Sequence, residues 1–347
     1  MKNSIVLNQE MKQTRSLSSP LKRITVLDAL RGFALLGVIL IHMLQRFGIY
    51  AIPSEQMDPR FPALDEAIQW IGQNIIMGRF INIFAFLFGL SFFIQMDSAA
   101  RKGVDFRKRF VWRMLLLFML GLLAHSFYSL EIISVYAVFG LLMIPLYRFK
   151  NWTLVALACL LLVGTPRIIQ ATINNNAISE QTSDRRTSGN GQASAEVPEY
   201  IAKPSFLNSA KHNYEERLEG KLNYQFGMVG RGYVTLALFM LGLVVGRLRF
   251  FEEVGTKRKR NVLLFAGFVS AALLIGWIKS MIPPVELRTL FNPAGTYISP
   301  TLLTVQALND INLVLFSGAM TMGFILLYQT KSTGSYLDVL SPYGRWG

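Results

Sequence analysis

Apolar stretches of about 20 residues recur along this chain, and no other feature of its sequence constrains the fold as strongly. They run near 26–48, 76–96, 111–128, 131–148, 152–170, 230–249, 262–282 and 302–328. A chain in hydrocarbon must satisfy every backbone N–H and C=O within itself, so stretches of this length are helices that cross a bilayer. Charged residues make up only 16% of the chain, against roughly 25% in soluble domains. The expected architecture is therefore all-α, a polytopic integral membrane helix bundle of about eight transmembrane helices in the cell membrane.

Charge placement orients the bundle. Segments 1–25, 97–110, 147–151, 247–260 and 329–347 are basic, with clusters at Arg101/Lys102, Arg107/Lys108/Arg109, Arg148/Lys150 and Lys257 to Arg260. Segments 49–75, 171–229 and 283–301 mix signs and hold most of the acids. The two kinds alternate at each crossing, and basic loops face the cytoplasm, so both termini are expected there. Residues 1–25 are read as a cytoplasmic tail, 26–328 as the bundle and 329–347 as a cytoplasmic end. No small-residue cleavage site follows the first apolar run, which reads as an uncleaved membrane helix. The formal charge of +14 sits in short clusters facing anionic lipid, which excludes a nucleic-acid surface.

The long extracytoplasmic segment 171–229 opens with a polar tract from Asn174 to Ala195 that is expected to be disordered. Tyr200 to Phe226 carries aromatics among charges; a solvated loop is the expected form, and a lid on the membrane face is the alternative. Gly242 and Gly246 have the spacing that lets membrane helices pack closely. Cys159 is the single cysteine, so an intrachain disulfide and a cysteine zinc site are both excluded.

Ionisable residues inside apolar runs mark functional sites by default. Arg31 and His42 lie eleven positions apart, about three helical turns or roughly 16 Å, on one helical face. The plainer reading makes Arg31 a headgroup anchor and His42 a hydrogen-bond donor to a neighbouring helix. Arg79 and Asn82 open the second run, and Arg231 opens the sixth. His125 and Glu131 flank a short turn on the outer side and are expected to meet there. Asn309, Asp310 and Asn312 form another polar knot. Asn312 to Tyr328 is nearly long enough to span unaided, so Asp310 is placed at the interface.

Arg31-x10-His42 resembles the hallmark of membrane acyltransferase family 3. Leu27 to Gly37 (Leu-Asp-Ala-Leu-Arg-Gly-Phe-Ala-Leu-Leu-Gly) is still more similar to the opening of the YeiB-like membrane family. Gly78-Arg-Phe, Phe86 to Leu90, Arg101-Lys-Gly103, Leu120 to Leu123, Glu131 to Ala137 and Tyr343-Gly-Arg345 extend that resemblance. Both families, with the heparan-glucosaminide N-acetyltransferases, resemble one superfamily of acyl-CoA-dependent membrane enzymes. His42 stands where YeiB-like members commonly carry Asn, Glu131 where they carry Asp, and His125 is one residue from their usual histidine. The sequence stops at Gly347, where the family pattern continues, so a truncated, inactive relative is one expectation.

The resemblance implies transfer of an acyl group, acetyl above all, from cytoplasmic acyl-CoA to a hydroxyl or amine on an extracytoplasmic glycan or small molecule. On that reading His42 is the general base, since its pKa lies near working pH, and Arg31 holds the acyl donor with its fork of donors. Asp28 orients Arg31, while Arg79, His125 and Glu131 serve the acceptor. Acetyl-CoA is the expected co-substrate. No metal is expected, because His, Asp and Glu lack ligand spacing. The rival reading is a transporter whose path Arg31 and His42 line. Walker loops, dinucleotide fingerprints and nucleophile elbows do not occur in the sequence.

Overall fold

The computed structural model describes residues 25–47, 61–184, 203, 205–291, 293 and 296–344. The tail before Thr25, residues 185–202 of the long loop and Arg345 of the C-terminal motif lie outside the described residues. The described elements are helical throughout. They begin with α1 (Thr25–Phe47), α2 (Pro62–Ile71, continued by a π turn, Gly72–Ile76), α3 (Arg79–Arg101), α4 (Arg107–Phe127) and α5 (Ile133–Leu146). Next come α6 (Asn151–Val163), α7 (Thr165–Asp184), α8 (Phe206–Glu215), α9 (Arg217–Phe226) and α10 (Arg231–Arg247). The chain closes with α11 (Arg258–Ser280), α12 (Pro300–Tyr328), α13 (Lys331–Leu337) and α14 (Ser341–Gly344).

Five stretches are long and apolar enough to cross a membrane: α1, Pro62–Arg101, α4, α11 and α12. The pairs α6–α7 and α9–α10 raise the number to seven if each bent pair is one crossing. The remaining expected crossing is α5, whose 14 residues rise only about 21 Å, short of a hydrocarbon core of about 30 Å. The protein is a multi-pass membrane bundle.

The bends have a local cause. α6 and α7 meet at 42° and α9 and α10 at 50°. Gly164 (φ 88°) and Gly230 (φ 64°) occupy the joints in the left-handed region that a side chain would strain. Both bends border one side chain, Arg167: a Cβ on Gly230 would lie 2.5 Å from its Nε.

Between membrane helices, close packing replaces the hydrophobic effect as the cohesive term. α3 and α10 show this reciprocally. A Cβ on Gly89 would sit 2.0 Å from the Phe239 carbonyl oxygen, and one on Gly242 would sit 2.1 Å from that of Phe86. Gly246 packs against the Phe93 ring, so the Gly242/Gly246 pair serves the packing role its spacing implies. Around this seam Phe88 stacks on Phe239 with centroids 4.5 Å apart, and Tyr136 tilts against the same ring.

Hydrogen bonds between distant segments sort the loops into two ends. At one end Arg249 meets Asp97, Arg247 meets the 147–151 turn, and Tyr328 meets Thr25 at 3.0 Å. At the other end Arg231 reaches Gly78, Asn213 reaches Ser126, and Asn223 reaches Phe291. The first set joins loops that are basic in the sequence and the second joins loops of mixed charge, in keeping with the alternation along the chain. α14 closes against the backbone of Asp28 at the basic end.

The long loop departs from its expected form. α7 continues through Asn174 to Asp184 as helix instead of ending in disorder. Asn175 ties the start of this stretch to Ile298: its Nδ2 donates to the Ile298 carbonyl and its Oδ1 accepts from Ile298 N–H, both at 2.9 Å. The segment after Ser205 is not a solvated loop either. Ser205 caps α8 by accepting from Asn208 N–H, and α9 buries Lys221 and Gln225.

Candidate functional site

α1 runs unbroken from Thr25 to Phe47, so Arg31, Leu35, Val38 and His42 form one stripe along it. At its basic end Arg31 Nη1 donates to Asp28 Oδ1 at 3.0 Å, and Nη2 donates to Ser91 Oγ of α3 at 2.8 Å. Ser91 in turn donates to the Leu87 carbonyl at 2.6 Å, which fixes the hydroxyl as an acceptor for the arginine. Asp28 is buried and Arg31 half-buried. The sequence pair Asp28/Arg31 thus becomes a guanidinium that is also anchored from another helix, by Ser91.

Arg31 stands between two cavities. The larger, about 690 Å³, is lined by Asp28, Arg31, Asp97, Glu252 and Tyr328 among apolar residues. The smaller, about 100 Å³, is lined by Arg31, Ser91, Gln95 and Arg113 with phenylalanines. Carboxylates of the larger cavity are already bridged: Asp97 to Arg101 and Arg249, and Glu252 to Arg249. A polyanion entering here meets a nearly neutral wall with Arg31 at its side. Long-range attraction therefore falls to the rim clusters 101–102, 107–109 and 257–260. Rim acids are paired as well: hydrogen bonding to Lys257 first, and then Arg260, holds the Glu253 carboxyl below the usual carboxylate range.

His42 lies three turns up the same stripe and is exposed on the helix surface. Its ring meets Tyr128 edge-on with centroids 5.5 Å apart. Ser91 and Tyr128 thus flank the two ends of the Arg31–His42 stripe. His42 lines neither of the two cavities beside Arg31.

At the opposite end His125 and Glu131 do come together, through a residue the sequence did not single out. Lys221 of α9 donates to Glu131 Oε1 and to Ser134 Oγ at 3.1 Å, and its Nζ lies 3.5 Å from His125 Nδ1. Ser134 donates to Glu131 from both Oγ (2.5 Å) and N–H (3.0 Å). His125 Nε2 lies 2.9 Å from the Asn213 carbonyl of α8. All four side chains are buried, and none borders the two cavities beside Arg31. The cluster fastens α8 and α9 onto α4 and α5.

Glu131 sits in the turn before α5. Burial pushes its carboxyl up, but the Lys221 bond and the Ser134 donors outweigh that and hold it below its ordinary value. Arg79 donates from Nη1 to the Gln73 and Met77 carbonyls, both at 2.9 Å, and lies 5.2 Å over the Phe316 ring. It closes the break between α2 and α3. Arg231 donates to Asn82 Oδ1 and to the Gly78 carbonyl.

Asp310 does not face solvent or lipid. It is buried and paired with Arg167, which is also buried. α12 has 29 residues, about 43 Å of helix, so its first third extends past the Asn312–Tyr328 span into the cover formed by α7. Arg167 was not singled out although it lies inside the 152–170 run, near its outer end; an ionisable residue within an apolar run was the signal that could have found it. Among the described residues no group of three or more His, Cys, Asp or Glu is placed to hold a metal ion.

Residues 23–180 match a family described as heparan-alpha-glucosaminide N-acetyltransferase, catalytic. That span holds Asp28, Arg31, His42, Arg79, His125 and Glu131 and ends before Lys221 and Asp310. Among curated proteins, the uncharacterized 39.9 kDa protein in amylase 3'region of Bacillus acidopullulyticus is 36% identical over 142 residues, 41% of this chain and 39% of that protein. The uncharacterized protein YxaH of Bacillus subtilis (strain 168) is 24% identical over 268 residues, 69% of this chain and 61% of that protein. The chain thus spans less than two thirds of the length of either relative. No solved structure matches. The protein is a multi-pass membrane protein whose first half is similar to an acetyltransferase catalytic family.

Proposed function

We propose that the protein moves an acyl group, acetyl above all, from acyl-CoA bound at the basic end to a hydroxyl or amine presented at the opposite end. The observation that carries this reading is Arg31. It is a guanidinium fixed by Asp28 and Ser91 on the wall of a cavity of about 690 Å³, within the stretch that matches the acetyltransferase family. Arg31 holds the donor by its amides or phosphates, and Asp28 keeps the guanidinium in place. The thioester arm lies along Leu35 and Val38 so that its carbonyl reaches the level of His42.

There the His42 imidazole takes the proton of the acceptor O–H or N–H as that oxygen or nitrogen bonds to the thioester carbon. The C–S bond breaks, the CoA sulfur leaves as thiolate, and it takes the proton back from the imidazolium. No net proton is gained or lost by the protein. Helices α8 and α9 form the acceptor platform. His125 and Glu131 hold that platform through Lys221, and Arg79 sets the start of α3 beneath it.

Acyl-CoA turnover in membranes tests the reading, with thiol release and labelled acyl incorporation followed together. At matched expression, His42→Ala lowers kcat by roughly 10²- to 10⁴-fold, the usual worth of a positioned base. Arg31→Ala raises the KM for acyl-CoA. Wild-type membranes that leave acyl-CoA intact would replace transfer with a translocation role or an inactive relative. Equal turnover in wild type and His42→Ala would keep the transferase and remove its base.

A further inference from the structure

A cavity of about 350 Å³ lies inside the bundle between α3, α10, α11 and α12, separate from the Arg31 site. Its walls are Ile83, Phe86, Leu238, Phe268 and Val314 and similar residues, and among its few polar members is Asn82. Asn82 is 1% exposed. Arg231 has only donors to offer, so the Asn82 atom that it reaches is the carbonyl oxygen. The amide NH₂ is the end left to face the cavity, and it has no hydrogen-bond partner among the described residues. A buried amide donor without an acceptor is costly. The other polar groups on the wall are occupied: Ser317 donates to the Leu313 carbonyl at 2.7 Å and Thr321 to the Ser317 carbonyl at 2.9 Å.

The cavity also has a route from the bilayer. α11 packs along α12 and turns Leu263, Leu273, Leu274 and Trp277 outward. Leu264 of α11 lines the cavity and is itself 37% exposed. Across from it stand the half-buried Leu241 and Val245 of α10. The lining includes Asn82, near the start of α3, and Phe250 and Phe251 at the basic end. Phe251 also lines the larger Arg31 cavity, so one ring separates the two spaces.

We infer that this cavity holds the hydrocarbon chain of an amphiphile drawn from the bilayer, with a carbonyl or similar acceptor of its head region on the Asn82 amide. The volume falls within the range of ligand pockets, its walls suit a chain, and its one unsatisfied donor selects an acceptor group at the end away from the basic face. On the acyl-transfer reading, on which this second step rests, the molecule to be acylated is lipid-linked and carries a free hydroxyl or amine beyond the group held by Asn82.

A photoreactive monoacylglycerol, bearing a diazirine in its chain, supplies an ester carbonyl for Asn82 and free hydroxyls for acylation. The full-length protein in phosphatidylcholine nanodiscs is irradiated with this probe and the adducts are mapped. The proposal expects adducts on the walls, at Phe268, Val314 or Met322. Asn82→Asp keeps the acceptor for Arg231 but removes the donor, and cuts labelling about fivefold to tenfold, the worth of one buried hydrogen bond. Leu264→Trp, at a lipid-facing position that the fold tolerates, narrows the mouth and lowers labelling as well. Adducts confined to Leu263, Leu273 and Trp277, or wall adducts indifferent to both variants, would overturn the site. Acyl-CoA is then added to the loaded protein. A gain of acyl mass on the probe supports the lipid-linked acceptor, whereas labelling without that gain leaves the chain site standing and removes the acceptor role.

Discussion

At the basic end Arg31 divides its guanidinium between Asp28 and Ser91 and keeps 18% of its side chain exposed beside a large cavity. At the other end Arg167 and Asp310 are 1% and 5% exposed and face each other, and Lys221 and Glu131 are 7% and 4% exposed. Both ends carry charges where a bilayer makes charge expensive. They differ in what the charges have left to give. Arg31 keeps part of its side chain exposed on a cavity wall, while Arg167 is 1% exposed and spends its Nη2 on Asp310, with its Nε left without a hydrogen-bond partner among the described residues. Removing one member of a closed pair strands its partner in a low-dielectric interior, so the loss shows in stability. Removing a half-open group leaves water to solvate what remains, so the loss shows in binding.

Asp310→Ala sets the upper end of that scale. It leaves the Arg167 guanidinium buried without its counter-ion, and the expected cost is about 3–5 kcal/mol. SDS-driven unfolding of the purified protein in mixed micelles measures it. The double variant Arg167→Leu/Asp310→Leu removes both charges and is expected to recover most of the loss. A single variant that unfolds like the wild type would show that this pair holds nothing together, and the contrast between the ends would collapse.

Lys221→Met comes next, at about 2–3 kcal/mol, because Ser134 continues to donate to the stranded Glu131 carboxylate. The same cluster has a pH signature. Glu131 is held below its ordinary value in the folded protein. Its stabilisation is therefore complete above the unfolded value of about 4.3 and is lost as pH falls through the lower folded value. Unfolding followed from pH 7 down into that range should be steeper in wild type than in Glu131→Gln. Parallel curves would remove Glu131 from the account of acid lability.

A smaller loss, about 1–3 kcal/mol, is expected for Gly230→Ala. The added Cβ both occupies a positive φ and lies 2.5 Å from Arg167 Nε. Gly220→Ala is the control, since a Cβ there meets nothing within 4 Å. If the two behave alike, the bend at Gly230 does not depend on making room for Arg167.

What could be read from the sequence follows the same divide. Hydropathy marked the crossings and the sign of the loops, because both are properties of contiguous residues. Asp28, Arg31 and His42 stood out because a charge or a base inside an apolar run is conspicuous. Lys221 did not, since it lies where charge is ordinary, and Arg167 was passed over near the outer end of its run; both become buried only through helices that arrive from far along the chain. Lys221 is 90 positions from Glu131, and Arg167 is 143 from Asp310. The burial of Asp310 was hidden because nothing local says that α12 begins at Pro300 beneath a cover. The helix after Asn174 was hidden for a related reason. Its polar composition argues for disorder, and the partner that Asn175 meets, Ile298, lies 123 positions along the chain.

The smallest stability effect is expected at the end where function is proposed. Asp28→Asn keeps an oxygen for Arg31 and removes only the charge of a pair in which the arginine is 18% exposed. Such i,i+3 pairs contribute less than about 1 kcal/mol, so unfolding should barely shift. Arg31 keeps its bond to Ser91, while the bond to residue 28 weakens from a charged one to a neutral one and restrains the guanidinium less. The KM for acyl-CoA should then rise several-fold while kcat changes little, because a positioning residue for the donor acts before the bond-breaking step. A loss of stability as large as that of Asp310→Ala would place Asp28 and Arg31 among the closed, architectural pairs, and the donor site would have to be sought elsewhere along the 690 Å³ cavity.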